Sequence, residues 1–169
     1  NIDNDGTPQY DETLRANTSG ITNNTGTLSY LWLRAGTAIS GATEVDYTLV
    51  QEDIATTITV EVSSSVQSGS LTGGPTTTIG KADRSAPSQP EIDNVTYNMV
   101  ALRASSNFEY AVDGGAWQSS AEFTGLSPET SYSFTMRYAE NSIYLASPAS
   151  SPLVVITLEN PATPLAGTV

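Results

Sequence analysis

Residues 27–62, TLSYLWLRAGTAISGATEVDYTLVQEDIATTITVEV, form a series of short segments that alternate apolar and polar side chains, broken by Gly and Asp turns and centred on Trp32. Leu28, Tyr30 and Trp32 share one face of an extended segment; Ile58, Val60 and Val62 share one face of another, with Thr and Glu on the reverse. A period of two is what a half-buried strand requires, because successive side chains leave the backbone on opposite sides. One such layer has nothing to bury its apolar face against, so the pattern predicts two antiparallel sheets packed face to face. The chain has no cysteine, so that core must close by packing alone.

The rest of the chain repeats the pattern. At 169 residues it has room for two small domains, since all-β sandwiches take about 100 residues or fewer. Charged residues make up 14% and the apolar 38% falls in short pieces, the distribution of an all-β protein whose strands each bury one face. Clusters of β-branched and aromatic residues supply enough apolar surface for cores, which argues against a disordered chain.

The first module is read over residues 1–82, with strands at 13–17, 28–34, 47–50, 57–63 and 76–79 and a hairpin turn at Ala35-Gly36. The segment KADRSAPSQP then breaks the alternation. Residues 83–90 read as a short, semi-rigid proline linker. The second module covers 91–159, with strands at 91–96, 99–104, 108–112, 117–118, 122–123, 131–139 and 153–158. Asp113-Gly114-Gly115 marks a tight turn, because Gly accepts the positive φ such turns demand. Residues 160–169 read as another linker and the possible start of a next repeat.

The formal net charge is −12; ten acids and four bases through Arg84 give −6, and eight acids and two bases beyond it give −6. Such a field repels phosphate backbones and anionic headgroups, so nucleic acid is excluded as an expected partner. The charge is that of a solubilised monomer. No segment approaches the about 20 apolar residues of a membrane span, so no membrane insertion is expected, and no charged-then-apolar leader begins the chain. An exported protein would contain this chain as an excised piece. Absence of Cys and His removes thiol nucleophiles and the commonest general base and metal ligand. No G-x-S-x-G elbow occurs either, and an enzyme is not expected.

Two resemblances sharpen the reading. LSPETSY at 126–132, followed by SFTMRYA, resembles the tyrosine corner and following strand of fibronectin type III domains, with Tyr132 as the corner residue. FEYAVDGGAW at 108–117 is similar to a hairpin in the fibronectin-like repeats of bacterial surface proteins. LSYLWLRAG at 28–36, ISGAT at 39–43, YTLV at 47–50 and DIA at 53–55 before ITVEV at 58–62 resemble a bacterial immunoglobulin-like repeat. That resemblance implies Trp32 as the core tryptophan and Asp53 as a turn residue, and the family often has Gly where this chain has Ala55. Together they imply an immunoglobulin-like and then a fibronectin type III-like sandwich: extracellular, secreted or wall-attached, non-catalytic modules of a tandem array. Presenting neighbouring domains of the same chain is the implied role, with binding of a glycan or a host or cell-surface protein as the alternative.

Two sets of residues are candidates for a site. Asn1, Asp3, Asp5 and Glu12, with Gly6, have the spacing of a calcium loop, in which oxygen ligands at positions 1, 3, 5 and 12 surround the ion. The same residues read as a tail leading into the first strand, and no other cofactor is expected. Trp117, Tyr138 and Tyr144 are candidates for stacking on a glycan; the alternative for each is core packing. The acids Asp46, Glu52 and Asp53, and Glu91, Asp93 and Asp113, are read as solvated loop residues, with a second cation site, formed by carboxylates converging at one pole of a sandwich, as the alternative for each set.

Overall fold

The computed structural model describes residues 1–3, 6–22 and 25–161. The chain is all-β and forms two β-sandwiches in tandem. Its strands are β1 (Ile2–Asp3), β2 (Thr13–Ala16), β3 (Leu28–Arg34), β4 (Thr37–Ala38), β5 (Asp46–Thr48), β6 (Ile58–Ser64), β7 (Ser70–Gly73), β8 (Ile92–Val95), β9 (Met99–Leu102), β10 (Phe108–Val112), β11 (Glu122–Thr124), β12 (Ser131–Tyr138) and β13 (Leu153–Ile156). One 3₁₀ turn spans Gln51–Asp53. Two compact units divide the chain between Ala82 and Asp83, with Ser142–Tyr144 grouped with the first.

In the first unit the sheet β1-β2-β5 faces the sheet β4-β3-β6-β7, all pairs antiparallel. Leu14 and Ala16 come from one sheet; Trp32, Ile58, Val60 and Val62 come from the other. Val60 lies opposite Trp32 in the β3–β6 register. Burying such side chains stabilises the fold by about 1.5–3 kcal/mol each, and this apolar filling holds the sheets together without a crosslink. Trp32 donates its indole N–H to the Glu44 carbonyl at 2.9 Å, so its burial leaves no donor unsatisfied.

The Ala35-Gly36 hairpin forms as the sequence predicts. Both residues have positive φ (44° and 80°) between the paired Arg34 and Thr37, the geometry of a two-residue turn matched to strand twist. The predicted strand at 76–79 does not form, and the outer strand is instead Ser70–Gly73. Leu71 is exposed there, so no alternation betrays the strand. Residues 76–79 run beside the start of β6 through Thr76 N–H to the Ile58 carbonyl (2.9 Å) and Ile79 N–H to the Thr56 carbonyl (2.9 Å), without a regular ladder.

In the second unit β11-β9-β8 faces β10-β12-β13, again antiparallel throughout. Val100, Leu102 and Phe123 on one sheet meet Tyr110, Phe134, Met136 and Val155 on the other. The Phe123 and Phe134 rings lie 5.1 Å apart across the interior. Asp113 and Gly114 have φ of 49° and 71°, and Gly115 N–H returns to the Val112 carbonyl at 2.9 Å, so the predicted turn is a mirror-image two-residue turn. The predicted strand at 117–118 is reduced to one bridge between Gln118 and Tyr110. Residues 83–90, read as a linker, carry no regular structure but lie against the second unit. Pro90 is buried, and Arg84 donates to the Ala139 carbonyl at 3.0 Å with its guanidinium 4.7 Å above the Tyr138 ring.

Candidate functional site

The most concentrated polar chemistry is at Asp53, at the end of the 3₁₀ turn just before β6. Its carboxylate has no exposed surface. Oδ1 accepts from Arg34 Nε at 2.7 Å; Oδ2 accepts from the Tyr47 hydroxyl and the Val50 N–H, both at 2.8 Å. The Thr56 hydroxyl donates to the Asp53 carbonyl at 2.7 Å. Tyr47 stacks on Trp32 at 5.6 Å, so a continuous line of contacts runs from the core tryptophan to the buried ion pair. Asp53 was expected to be a solvated turn acid and is not. A buried charge is tolerated here because a cation and two further donors replace the lost water.

The electrostatics follow from that arrangement. The hydrogen bond to Asp53 holds the Arg34 guanidinium above its ordinary pKa. Burial, then the hydrogen bond to Asp53, pushes the Tyr47 hydroxyl up to about 12. Neither group is poised to exchange a proton near neutrality. The arrangement joins β3, β5 and the 3₁₀ turn.

The other five loop acids are exposed, as expected of solvated residues, and three of them also hold a partner. Asp46 accepts from Arg15 at 2.9 Å across the β2–β5 pair, and Glu91 accepts from Arg103 at 2.7 Å. Asp113 accepts the Ser133 N–H at 2.8 Å, fastening its turn to β12.

Of the four calcium-loop residues, Asp5 lies outside the described residues. Asn1 and Asp3 sit at the margin of the first sheet, where the Asn1 carbonyl accepts the Asn17 N–H (2.8 Å) and Asp3 Oδ1 accepts from the Asn17 side-chain amide (2.9 Å). Glu12 accepts the Gln9 N–H at 2.9 Å. Asp3 pairs in register with Arg15, three residues and about 10 Å along the strand from Glu12. Among the described residues no three carboxylates converge on one point.

The three aromatic candidates have three separate partners. Trp117 carries the Arg137 guanidinium 4.5 Å over its ring, and Arg137 is held by Glu109 at 2.8 Å. Tyr138 is the next residue of β12, so its ring leaves the opposite side of the sheet, where it meets Phe108 at 4.8 Å. Tyr144 belongs to the first unit and packs edge-on to Tyr10 at 5.7 Å. Trp117 and Tyr138 thus occupy opposite faces of one sheet and form no common platform.

The tyrosine corner is present at 126–132. The Ser127 N–H donates to the Tyr132 hydroxyl at 2.9 Å, five residues upstream. Sequence reasoning missed a second polar device on the far side of β12. Where a regular neighbouring strand would offer carbonyls, Ser150 Oγ accepts the Met136 N–H (3.1 Å) and Ser147 Oγ accepts the Tyr138 N–H (3.0 Å). Both serines are buried. The signal was the SPASSP run at 147–152, whose prolines cannot donate to a ladder.

These strand orders, the buried Trp32 and the Tyr132 corner define an immunoglobulin-like sandwich followed by a fibronectin type III-like one. No protein-family model matches the chain, and no curated protein matches it. Among solved structures it is similar to a two fibronectin type-III domain segment from chicken tenascin, at 12% identity, covering 93% of this chain and 98% of that one, with a TM-score of 0.46. It is also similar to the central fibronectin-III array of RIM-binding protein (15% identity, 96% and 69% covered, TM-score 0.35) and to domains A168-A170 from titin (14%, 90% and 60%, TM-score 0.39). The fold assignment rests on the strand order and packing described above.

Proposed function

We propose that this chain is a pair of non-catalytic spacer modules from a secreted or cell-surface bacterial protein, presenting neighbouring domains of the same chain away from the cell. One observation carries the reading: the buried polar side chains among the described residues, Asp53, Ser147, Ser150 and Thr157, all serve internal closure. Thr157 accepts from the Thr130 N–H (3.0 Å) and donates to the Ser127 carbonyl (2.6 Å), locking the corner loop just as Asp53 locks the first unit. No buried polar group in that set is left over for a substrate. The bacterial and surface context comes from the sequence resemblances.

The test is binding and mechanics together. A spacer gives no saturable signal on a glycan array or with immobilised extracellular-matrix proteins, and unfolds under force in two separate events. Saturable glycan binding that Trp117→Ala abolishes, with the melting transition unchanged, would overturn the spacer reading in favour of adhesion.

A further inference from the structure

β13 is the outer strand of its sheet, and its outward side chains Val154 and Ile156 are 63% and 64% exposed, with Leu158 at 55% just beyond. An apolar row on an unpaired sheet margin is a template for another strand. The hydrogen-bond phase identifies the open groups. Thr157 donates its N–H to the Thr130 carbonyl at 3.1 Å, and in the same register Val155 lies opposite Tyr132 and Leu153 opposite Phe134. Alternation along an antiparallel pair therefore aims the backbone groups of Leu153, Val155 and Thr157 at β12 and those of Val154 and Ile156 away from it. The window is bounded at both ends. The Gln89 side-chain amide takes the Pro152 carbonyl, and the Leu158 N–H goes to the Thr96 carbonyl at 3.0 Å. Between those points the N–H and C=O groups of Val154 and Ile156 have no partner among the described residues.

We propose that this margin is filled by β13 of a second copy of the chain, antiparallel about a twofold axis at Val155. Val154 then lies opposite Ile156 of the second copy, and Ile156 opposite its Val154. Each pair exchanges two backbone hydrogen bonds, so the open groups of one window are satisfied by those of the other, an isologous contact. The β-branched side chains of both pairs meet on one face. Charge selects the direction. Glu129 and Glu159 are exposed near the Leu158 end, whereas residues 148–152 carry no charge. Antiparallel pairing sets each acidic end against the other copy's uncharged end, while parallel pairing would set acid against acid.

Two magnitudes bound the strength. A net charge of −12 on each copy opposes contact at low ionic strength. Salt shortens the screening length from about 30 Å at 0.01 M to about 3 Å at 1 M and therefore strengthens association. Four backbone hydrogen bonds and two side-chain pairs are a small contact beside the about 1,600 Å² of a stable complex. Isolated chains pair weakly, and repetition along an array on adjacent molecules multiplies the effect.

The test uses two readouts on the intact chain. In sedimentation at several hundred micromolar, the weight-average mass rises above that of one chain in 0.5 M NaCl and falls back in 0.02 M. Val154→Lys restores the single-chain mass even though it lowers the net negative charge. Because the chain has no cysteine, the register can also be trapped. In this register a Val154→Cys chain mixed with an Ile156→Cys chain places the two Cα atoms about 5.5 Å apart, within disulfide reach. Two copies of the same variant put their cysteines on a diagonal about 7–8 Å apart. The mixture crosslinks at least about fivefold faster than either variant alone, with thermal unfolding confirming that each is folded. A single-chain mass under all conditions, no effect of Val154→Lys, or equal crosslinking in mixed and unmixed samples overturns the proposal.

Discussion

Asp53 and Arg34, nineteen residues apart in the chain, meet at 2.7 Å with the carboxylate wholly buried and 28% of the arginine side chain exposed. This ion pair ties the end of the central strand β3 to the turn that launches β6. Removing one partner of a buried pair is costlier than removing both, because the remaining charge loses its compensation.

Arg34→Met is therefore expected to destabilise the first unit by about 3 kcal/mol, the lower end of the range for a buried pair because the arginine keeps some solvent. Arg34→Met combined with Asp53→Leu costs less than the sum of the two single changes. Urea unfolding of the four proteins, followed by Trp32 fluorescence, measures this cycle.

The same cluster gives a pH dependence at the alkaline end. Tyr47 has its pKa raised from 10.0 to about 12 in the folded state, chiefly by burial and then by its hydrogen bond to Asp53. The folded protein thus holds the proton more tightly than the unfolded chain. The stability this contributes is fully present below pH 10 and is lost as pH rises from about 10 through 12. Denaturant midpoints between pH 9 and 12 should fall for the native chain and fall less for Tyr47→Phe.

Ala55 sits at φ of 65° and Ala35 at φ of 44°, both in the left-handed region that a Cβ disfavours. Ala55 is exposed, so Gly there loses no packing. Ala55→Gly is expected to stabilise the first unit by about 0.5–1 kcal/mol, raising its Tm by several degrees. Ala35→Asn should act in the same direction, since Asn tolerates this conformation and suits the turn. Calorimetry shows both.

Ser147 and Ser150 replace carbonyl acceptors for two N–H groups of β12. Each change to Ala leaves a donor without a partner beside a proline-bearing segment that cannot re-form a ladder, at a cost of about 1–3 kcal/mol. Tyr132→Phe should cost only about 1 kcal/mol, because Ser127 is exposed and water can replace the hydroxyl. Hydrogen exchange places the serine effect at Met136 and Tyr138.

Much of the fold was readable before the structure. β3 and β10 match their predicted bounds, 28–34 and 108–112, and the Ala35-Gly36 and Asp113-Gly114 turns form as expected. Alternation and turn chemistry are properties of neighbouring residues, so they survive in a one-dimensional reading. The outer strand Ser70–Gly73 was missed because its side chains are mostly exposed and carry no alternation. The site was less legible. Trp117 and Tyr138 are both aromatic in sequence, and only their separate partners, Arg137 and Phe108, show that they lie on opposite faces of one sheet.

By itself, then, the sequence determined that this protein is a cysteine-free all-β chain of two modules, with Trp32 inside the first and a tyrosine corner at Tyr132 in the second. Tertiary structure alone decided that Asp53 is a buried ion-pair partner rather than a solvated turn acid, and that Ser147 and Ser150 stand in for strand carbonyls. Periodicity reports which face of a strand is buried. It carries no information on which distant side chain will compensate a buried charge or an unpaired N–H, because that depends on contacts across 19 residues for Arg34 and 14 for Ser150.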